Sequence, residues 1–206
     1  MAPPLPSTVH RFRGTIAGFG SGSGVRVVVG RWEQSPYGPF ADVMLAQADG
    51  TRRLLAPTEV IADYVAGTYA FDVVEVVPVV VRSSGPVVSL VAGELDVSYD
   101  VGGRTSLGRA LRLVPERVAT SPGWCRVTDP LARLVLEGVR TRGSGSDGRF
   151  ETYGATDHHA IDAMRGSWRG RDLGPLAPLL PEPGFGFGST PPRPSVTTLV
   201  TTVAES

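Results

Sequence analysis

Two places in this 206-residue chain set titratable and aromatic side chains close enough together to do chemistry. The first is Ser35-Pro-Tyr-Gly-Pro-Phe-Ala-Asp42. Two prolines and a glycine make a rigid turn, Tyr37 supplies a polar-tipped ring, and Asp42 follows two residues into the next strand. Phe40 and Asp42 then share one strand face. If that face lines a barrel interior, Asp42 is a buried carboxylate with a raised pKa, which is how acid–base sites are made. The plainer alternative is a structural turn in which Asp42 pairs with an arginine such as Arg31. The second place is Asp157-His158-His159. Neighbours in a strand face opposite sides, so one imidazole points inward, where it can serve as general base or metal ligand beside Asp157 or Asp162. The alternative is a polar strand start with one solvated and one hydrogen-bonded histidine. An error of one residue in strand phase exchanges His158 and His159.

What the chain lacks is as informative. All 20 basic residues are arginine; there is no lysine. Lysine forms imines with carbonyl substrates and grips phosphates in the P-loop, so side-chain Schiff-base catalysis, pyridoxal phosphate anchoring and a Walker-type site are excluded. Arginine in place of lysine, with heavy Ala, Gly and Val usage, is also what a GC-rich bacterial genome produces. The chemical exclusion holds whatever the cause. Gly18-Phe-Gly-Ser-Gly-Ser-Gly24 spells GxGxGxG, without the spacing or following helix of a dinucleotide fingerprint, and reads as a loop. No Gly-x-Ser-x-Gly elbow, HExxH, CxxC or EF-hand pattern occurs. Three histidines and one cysteine make no structural zinc set, so neither a metal nor a cofactor is expected.

The composition sets broad limits. Hydrophobic residues make up 41% of the chain, charged residues 19%, and the formal charge is zero. No basic stripe marks a nucleic-acid binder. Cys125 has no internal disulfide partner and fits packing in a reducing cytoplasm. Met1-Ala-Pro-Pro-Leu-Pro-Ser7 has no basic or apolar signal-peptide region, and no apolar run approaches the roughly 20 residues of a membrane span. The expectation is a soluble, cytoplasmic chain that meets neither nucleic acid nor membrane.

Residues 9–19 alternate as a strand, and residues 25–32 are β-branched up to the Ser35–Asp42 turn. Residues 40–47 form the next strand, and Asp49-Gly50 makes a tight hairpin into residues 51–55. Pro57-Thr58-Glu59 starts a helix carrying Val60, Ile61, Tyr64 and Val65, which Gly67 ends. Residues 71–82 are nearly continuous valine, with Pro78 at an edge or bulge. Residues 87–101 alternate again. A helix follows over residues 105–114 with Leu107, Ala110, Leu111 and Val114 on one face, then a second from Asp129-Pro130 to residue 136. Strands return at 149–156, 160–168 and 196–203. Six to eight strands predict an α+β fold, mainly an antiparallel β-barrel or strongly curled sheet with a short helical insertion. The organisation is one domain over residues 1–206, with a helical insertion at 105–137 and a Pro/Gly-rich connection at 174–194.

This order of features resembles the acetoacetate decarboxylase family. Gly38-Pro-Phe-Ala-Asp42 is similar to the family's Gly-Pro-Tyr-x-Glu-like motif, with Asp42 at the glutamate position. Ala70-Phe-Asp-Val-Val74 is similar to its Ala-Phe-Pro-Lys-Lys-like segment. The resemblance covers residues 30–80 and implies a cone-shaped antiparallel barrel around an apolar pocket. It departs at the paired lysines, where Val73 and Val74 stand, so decarboxylation through a lysine imine is not available. What the resemblance leaves is a cavity in which Asp42, Tyr37, Phe40, Phe71 and Arg31 face a small carbonyl or carboxylate compound, arginine suiting a carboxylate by bidentate pairing.

Three readings stay open. One is a small-molecule-binding barrel without imine chemistry. Another is an acid–base isomerase, hydratase or lyase using Asp42 with His158 or His159, which requires the two to converge within about one bridging water. The third is a structural or interaction protein, in which residues 179–194, with Phe185-Gly-Phe187, lie across a partner, or open sheet edges join two copies as a homodimer.

Overall fold

A computed structural model describes residues 9–121, 142–144, 150–186 and 191–204. Cys125, the helix expected over 129–136, residues 145–148 of the Gly/Ser loop and Phe187 lie outside them. The chain begins β1 (Val9–Ser21), β2 (Arg26–Gln34), β3 (Phe40–Ala46), β4 (Arg52–Ala56), α1 (Glu59–Ala66) and β5 (Val73–Val76). It continues with β6 (Val79–Ser84), β7 (Val87–Ala92), β8 (Leu95–Arg104), α2 (Ser106–Leu111) and α3 (Glu116–Ala119). After β9 (Arg142–Ser144), β10 (Phe150–Trp168), β11 (Arg171–Asp172) and β12 (Leu176–Ala177), it ends with β13 (Ser195–Ala204).

Ten strands form one path in the order β5-β4-β3-β2-β1-β13-β10-β8-β7-β6, with β9, β11 and β12 attached at its sides. The sheet is an open, strongly curled half-barrel and the class is α+β, as the alternation predicts. It is almost wholly antiparallel; β4 and β5 alone among the paired strands run parallel, joined through α1.

Period-2 alternation divides the sheet into two sides. On the concave side Phe19, Val27, Val29, Val43, Leu45, Leu55, Leu90 and Trp168 close the main core. On the other side Leu54 and Ala56 meet Ile61, Ala62 and Val65 of α1. Leu179 and Phe185, from the Pro/Gly-rich connection, are buried on this second side against Val28 and Ala46.

Several boundaries differ from the sequence expectation for physical reasons. The glycine-rich run is not all loop, since β1 continues through Ser21. Gly20 lies where a Cβ would meet the Pro178 carbonyl oxygen at 2.1 Å, so that glycine serves close approach of two backbones. The valine run over 71–82 is two strands broken at Val77-Pro78, because proline cannot continue a ladder. The strand expected over 87–101 folds back at Gly93, whose φ is +56°. The two strands expected over 149–156 and 160–168 are one, β10, which bulges between Ala155 and Asp157 instead of ending. On α2, Gly108 is the buried residue and Ala110 is exposed, so the helix meets the sheet by backbone approach more than through an apolar stripe.

Helix α1 starts and stops as its residues dictate. Thr58 caps it by accepting a hydrogen bond from the Ile61 N–H, and Gly67 caps its C-terminus. Ile61 and Val65 are buried, whereas Val60 is 58% exposed. Because α1 is only 8 residues long, its position over β3 and β4 depends on that cap. Replacing Thr58 with alanine is expected to lower stability by about 1 kcal/mol, read as a shift of the urea midpoint at unchanged m-value. No helix among the described residues is long and apolar enough to cross a membrane.

Candidate functional site

The turn at Ser35–Gly38 sets the register of the β2–β3 hairpin. Ser35 Oγ accepts from the Tyr37 N–H and donates to the Gly38 carbonyl, and Gly38 takes φ +79°. Trp32 therefore stands opposite Phe40, Gly30 opposite Asp42, and Val28 opposite Met44. All six face the side that α1 covers, since Val29 and Val43 between them point into the main core. Asp42 is thus buried, 4% exposed, but between sheet and helix and not inside the curl.

Gly30 makes this possible. A Cβ there would lie 2.5 Å from Asp42 Oδ1 and 2.8 Å from Trp32 Nε1. The missing side chain leaves the space in which the Trp32 indole N–H donates to Asp42 Oδ1 at 3.0 Å. Above them is a cavity of about 50 Å³. Phe12 of β1 and Phe40 of β3 form walls, Tyr64, Val65 and Tyr69 enter from α1 and the turn after it, and Tyr153 enters from β10. Phe12 sits edge-on to Trp32 at 5.7 Å and to Phe40 at 6.5 Å. The Tyr69 and Tyr153 hydroxyls hydrogen-bond each other, tying α1's end to β10.

Electrostatically the pocket has one charged partner to offer. Asp42 is its sole carboxylate, and its lining holds no arginine or histidine among the described residues. Burial raises the Asp42 pKa to about 7, the Trp32 hydrogen bond acting in the opposite direction. Asp72 shows the opposite case on the same sheet. Hydrogen bonds from Arg52, at 2.9 and 3.0 Å from its side chain, hold the exposed Asp72 carboxyl down at about 2.

The other residues singled out in the sequence are dispersed. Phe40 lines the pocket, and Tyr37, 39% exposed, packs outside it on Phe12 and Tyr64. Arg31 belongs to the opposite side of β2, where its Nη1 donates to Ser83 Oγ at 2.8 Å, so it does not pair with Asp42. Phe71 packs at a tilt on Phe185, ring centroids 5.7 Å apart, in the neighbouring apolar cluster. Val73 and Val74 lie on β5, with Val74 46% exposed.

His158 shares a sheet row with Asp42 through Thr197, Ile16 and Gly30. Four strand spacings of about 4.8 Å separate them, roughly 19 Å along the sheet. The imidazole and the carboxylate therefore do not converge. His158 is buried beside α2, with Nδ1 2.9 Å from Thr105 Oγ1, and burial lowers its pKa. His159 takes the other side of β10, its Nδ1 3.0 Å from the Gly102 carbonyl. Arg104 clamps Asp157 at 2.8 and 2.9 Å. No cluster of three metal-ligating side chains occurs among the described residues.

Sequence reasoning missed Gly30, Trp32, Phe12, Tyr64, Tyr69 and Tyr153. For Gly30 and Trp32 the signal was present: once the turn sets Trp32 opposite Phe40, period 2 places both on the Asp42 side.

No family model and no curated protein matches this chain. Among solved structures it is similar to acetoacetate decarboxylase from Legionella pneumophila subsp. pneumophila str. Philadelphia 1, at 9% identity and TM-score 0.44, over 99% of this chain and 90% of that one. It is also similar to a second acetoacetate decarboxylase structure at 10% identity and TM-score 0.43, over 98% of this chain and 89% of that one. The resemblance is weak in identity and near-complete in coverage.

Proposed function

We propose that this chain binds a small molecule in the Asp42 pocket and that it does so without imine chemistry. The observation that carries the reading is one buried carboxyl at the base of an aromatic-walled cavity, with Gly30 leaving room for the Asp42–Trp32 pair beneath it. Predominantly apolar walls with a few placed polar groups are what small-ligand sites look like. A sequence without lysine has no side-chain amine to attack a carbonyl ligand. A cavity of about 50 Å³ admits a group of a few heavy atoms, since one water needs about 10–15 Å³.

The test has two arms. Native mass spectrometry before and after denaturation is expected to release a small molecule from the purified chain, and not from Gly30→Val, whose side chain would displace Asp42 and Trp32 at the base of the pocket. Release of the same molecule from both proteins would put it elsewhere. Millimolar panels of small amines, acids and alcohols, followed by the Trp32 indole N–H resonance, serve a chain purified empty. A resonance that none of them moves would overturn the reading.

One observation favours a second reading, an acid–base enzyme. A carboxyl titrating near 7 suits proton transfer at neutral pH. Its partner would come from the pocket tyrosines and not from His158 or His159.

A further inference from the structure

The walls around Asp42 specify more than a small molecule. A buried carboxylate ordinarily has a cationic neighbour or several hydrogen-bond donors. Asp42 has the Trp32 indole N–H, and no basic side chain lines its cavity among the described residues. The chain is rich in arginine, with 20 in all, yet none of those among the described residues lines this cavity. Arg31, next to Trp32 in sequence, is turned to the other side of the strand and held by Ser83. The pocket has the counter-charge of an ion pair without its cation.

The rest of the wall is what a cation prefers. Phe12, Trp32, Phe40 and Tyr64 all line the cavity and pack on one another, Phe12 lying 5.2 Å from Tyr64 and Trp32 6.4 Å from Phe40. Ring faces carry negative potential, and several rings about one space stabilise an organic ammonium. An anionic ligand would be repelled by Asp42 wherever its carboxyl is ionised, and no basic side chain in the described lining would compensate it. A neutral alcohol could hydrogen-bond to the lining but would leave the Asp42 charge uncompensated.

We infer that this pocket takes a small organic cation, an alkylammonium head, with Asp42 as its counter-ion and the rings of Phe12, Trp32, Phe40 and Tyr64 as its cage. The inference rests on the ligand-binding reading above. The head enters a space sized for a few heavy atoms, and any larger remainder of the ligand stays outside. In the empty pocket Asp42 holds a proton below neutrality, so binding a cation there transfers that proton to solvent and ammonium replaces it. The other titratable groups facing the pocket among the described residues are Tyr64 near the end of α1, Tyr69 after it and Tyr153 of β10. His10 of β1 stacks against Tyr64 at 6.4 Å.

The experiment is a titration of the full chain with methylammonium chloride at pH 6 and pH 8, read from the Trp32 indole N–H resonance. Sodium formate and methanol serve as anionic and neutral probes of the same size, and sodium chloride controls for ionic strength. Methylammonium is expected to bind about tenfold more tightly at pH 8 than at pH 6, following ionisation of Asp42. The same gain is expected in His10→Gln. Asp42→Asn is expected to weaken binding about thirtyfold or more, as when one member of a buried charge pair is removed. Formate or methanol binding as tightly as methylammonium, or methylammonium binding with no dependence on pH, would overturn the cation inference and leave the ligand-binding reading standing. The wild-type pH comparison decides the matter even if Asp42→Asn folds poorly. If no probe moves the resonance, both fall.

Discussion

Asp42→Asn is expected to gain about 4 kcal/mol of stability relative to the wild type as pH rises from 4 to 8. The sign follows from where the proton resides. The folded-state pKa is raised from 3.8 to about 7, so between these values the folded protein holds a proton that the unfolded chain releases. Stability that depends on that proton is complete below pH 3.8 and is lost as pH rises to about 7. Each unit of difference corresponds to about 1.4 kcal/mol. Asparagine keeps an oxygen to accept from the Trp32 indole and carries no charge, so it escapes the loss. The measurement is urea unfolding of both proteins at several pH values, with the difference between them plotted so that His158 and the remaining groups cancel. A difference that stays flat from pH 5 to pH 8 would mean that Asp42 is solvated or paired, and would remove the basis for a proton-linked site. A carboxylate kept where an amide would be more stable is the pattern expected of a residue held for function and not for folding.

Gly30→Ala is the second large effect. One added methyl would stand 2.5 Å from Asp42 Oδ1 and 2.8 Å from Trp32 Nε1, both buried and bonded to each other. Either the hydrogen bond breaks, leaving a buried donor and acceptor unpaired, or the hairpin shifts. Each route costs about 1–3 kcal/mol, and a total loss near 3 kcal/mol is expected. The Trp32 indole resonance should move with it, and any ligand of the pocket should be lost. Gly103→Ala is the control, since a Cβ there meets nothing within 4 Å. It should fall within about 0.5 kcal/mol of the wild type. Equal stability of the two variants would show that the space beside Gly30 is open and that Asp42 is not held as described.

These effects bear on why the hairpin is legible and the site is not. The Ser35–Asp42 turn, the Asp49-Gly50 hairpin and the Thr58 cap act through residues at most a few positions apart, and each element they mark is present. Alternation identifies strands for the same reason: the side-chain period is a property of the local backbone. The split of residues 71–82 at Pro78 was half visible, because proline signals the interruption but not that its two halves join opposite edges of the sheet. The continuity of β10 was not visible, because its bulge at Thr156 is stabilised by β13, some forty residues later.

The sequence by itself determined the chemical inventory and the local geometry. Having no lysine, the chain offers no side-chain imine, and having Gly30, Trp32, Phe40 and Asp42 at even spacing about a rigid turn, it carries one polar spot on one face of a hairpin. Only the tertiary structure decided which side of the sheet that face would meet. A two-sided sheet gives Val43 and Asp42 equal local standing, and their fates separated when α1 closed over one side and the curl closed over the other. The same long-range pairing set His158 four strands from Asp42 and turned Arg31 toward Ser83. Such choices are made by contacts between residues tens to more than a hundred positions apart, and no local pattern encodes them.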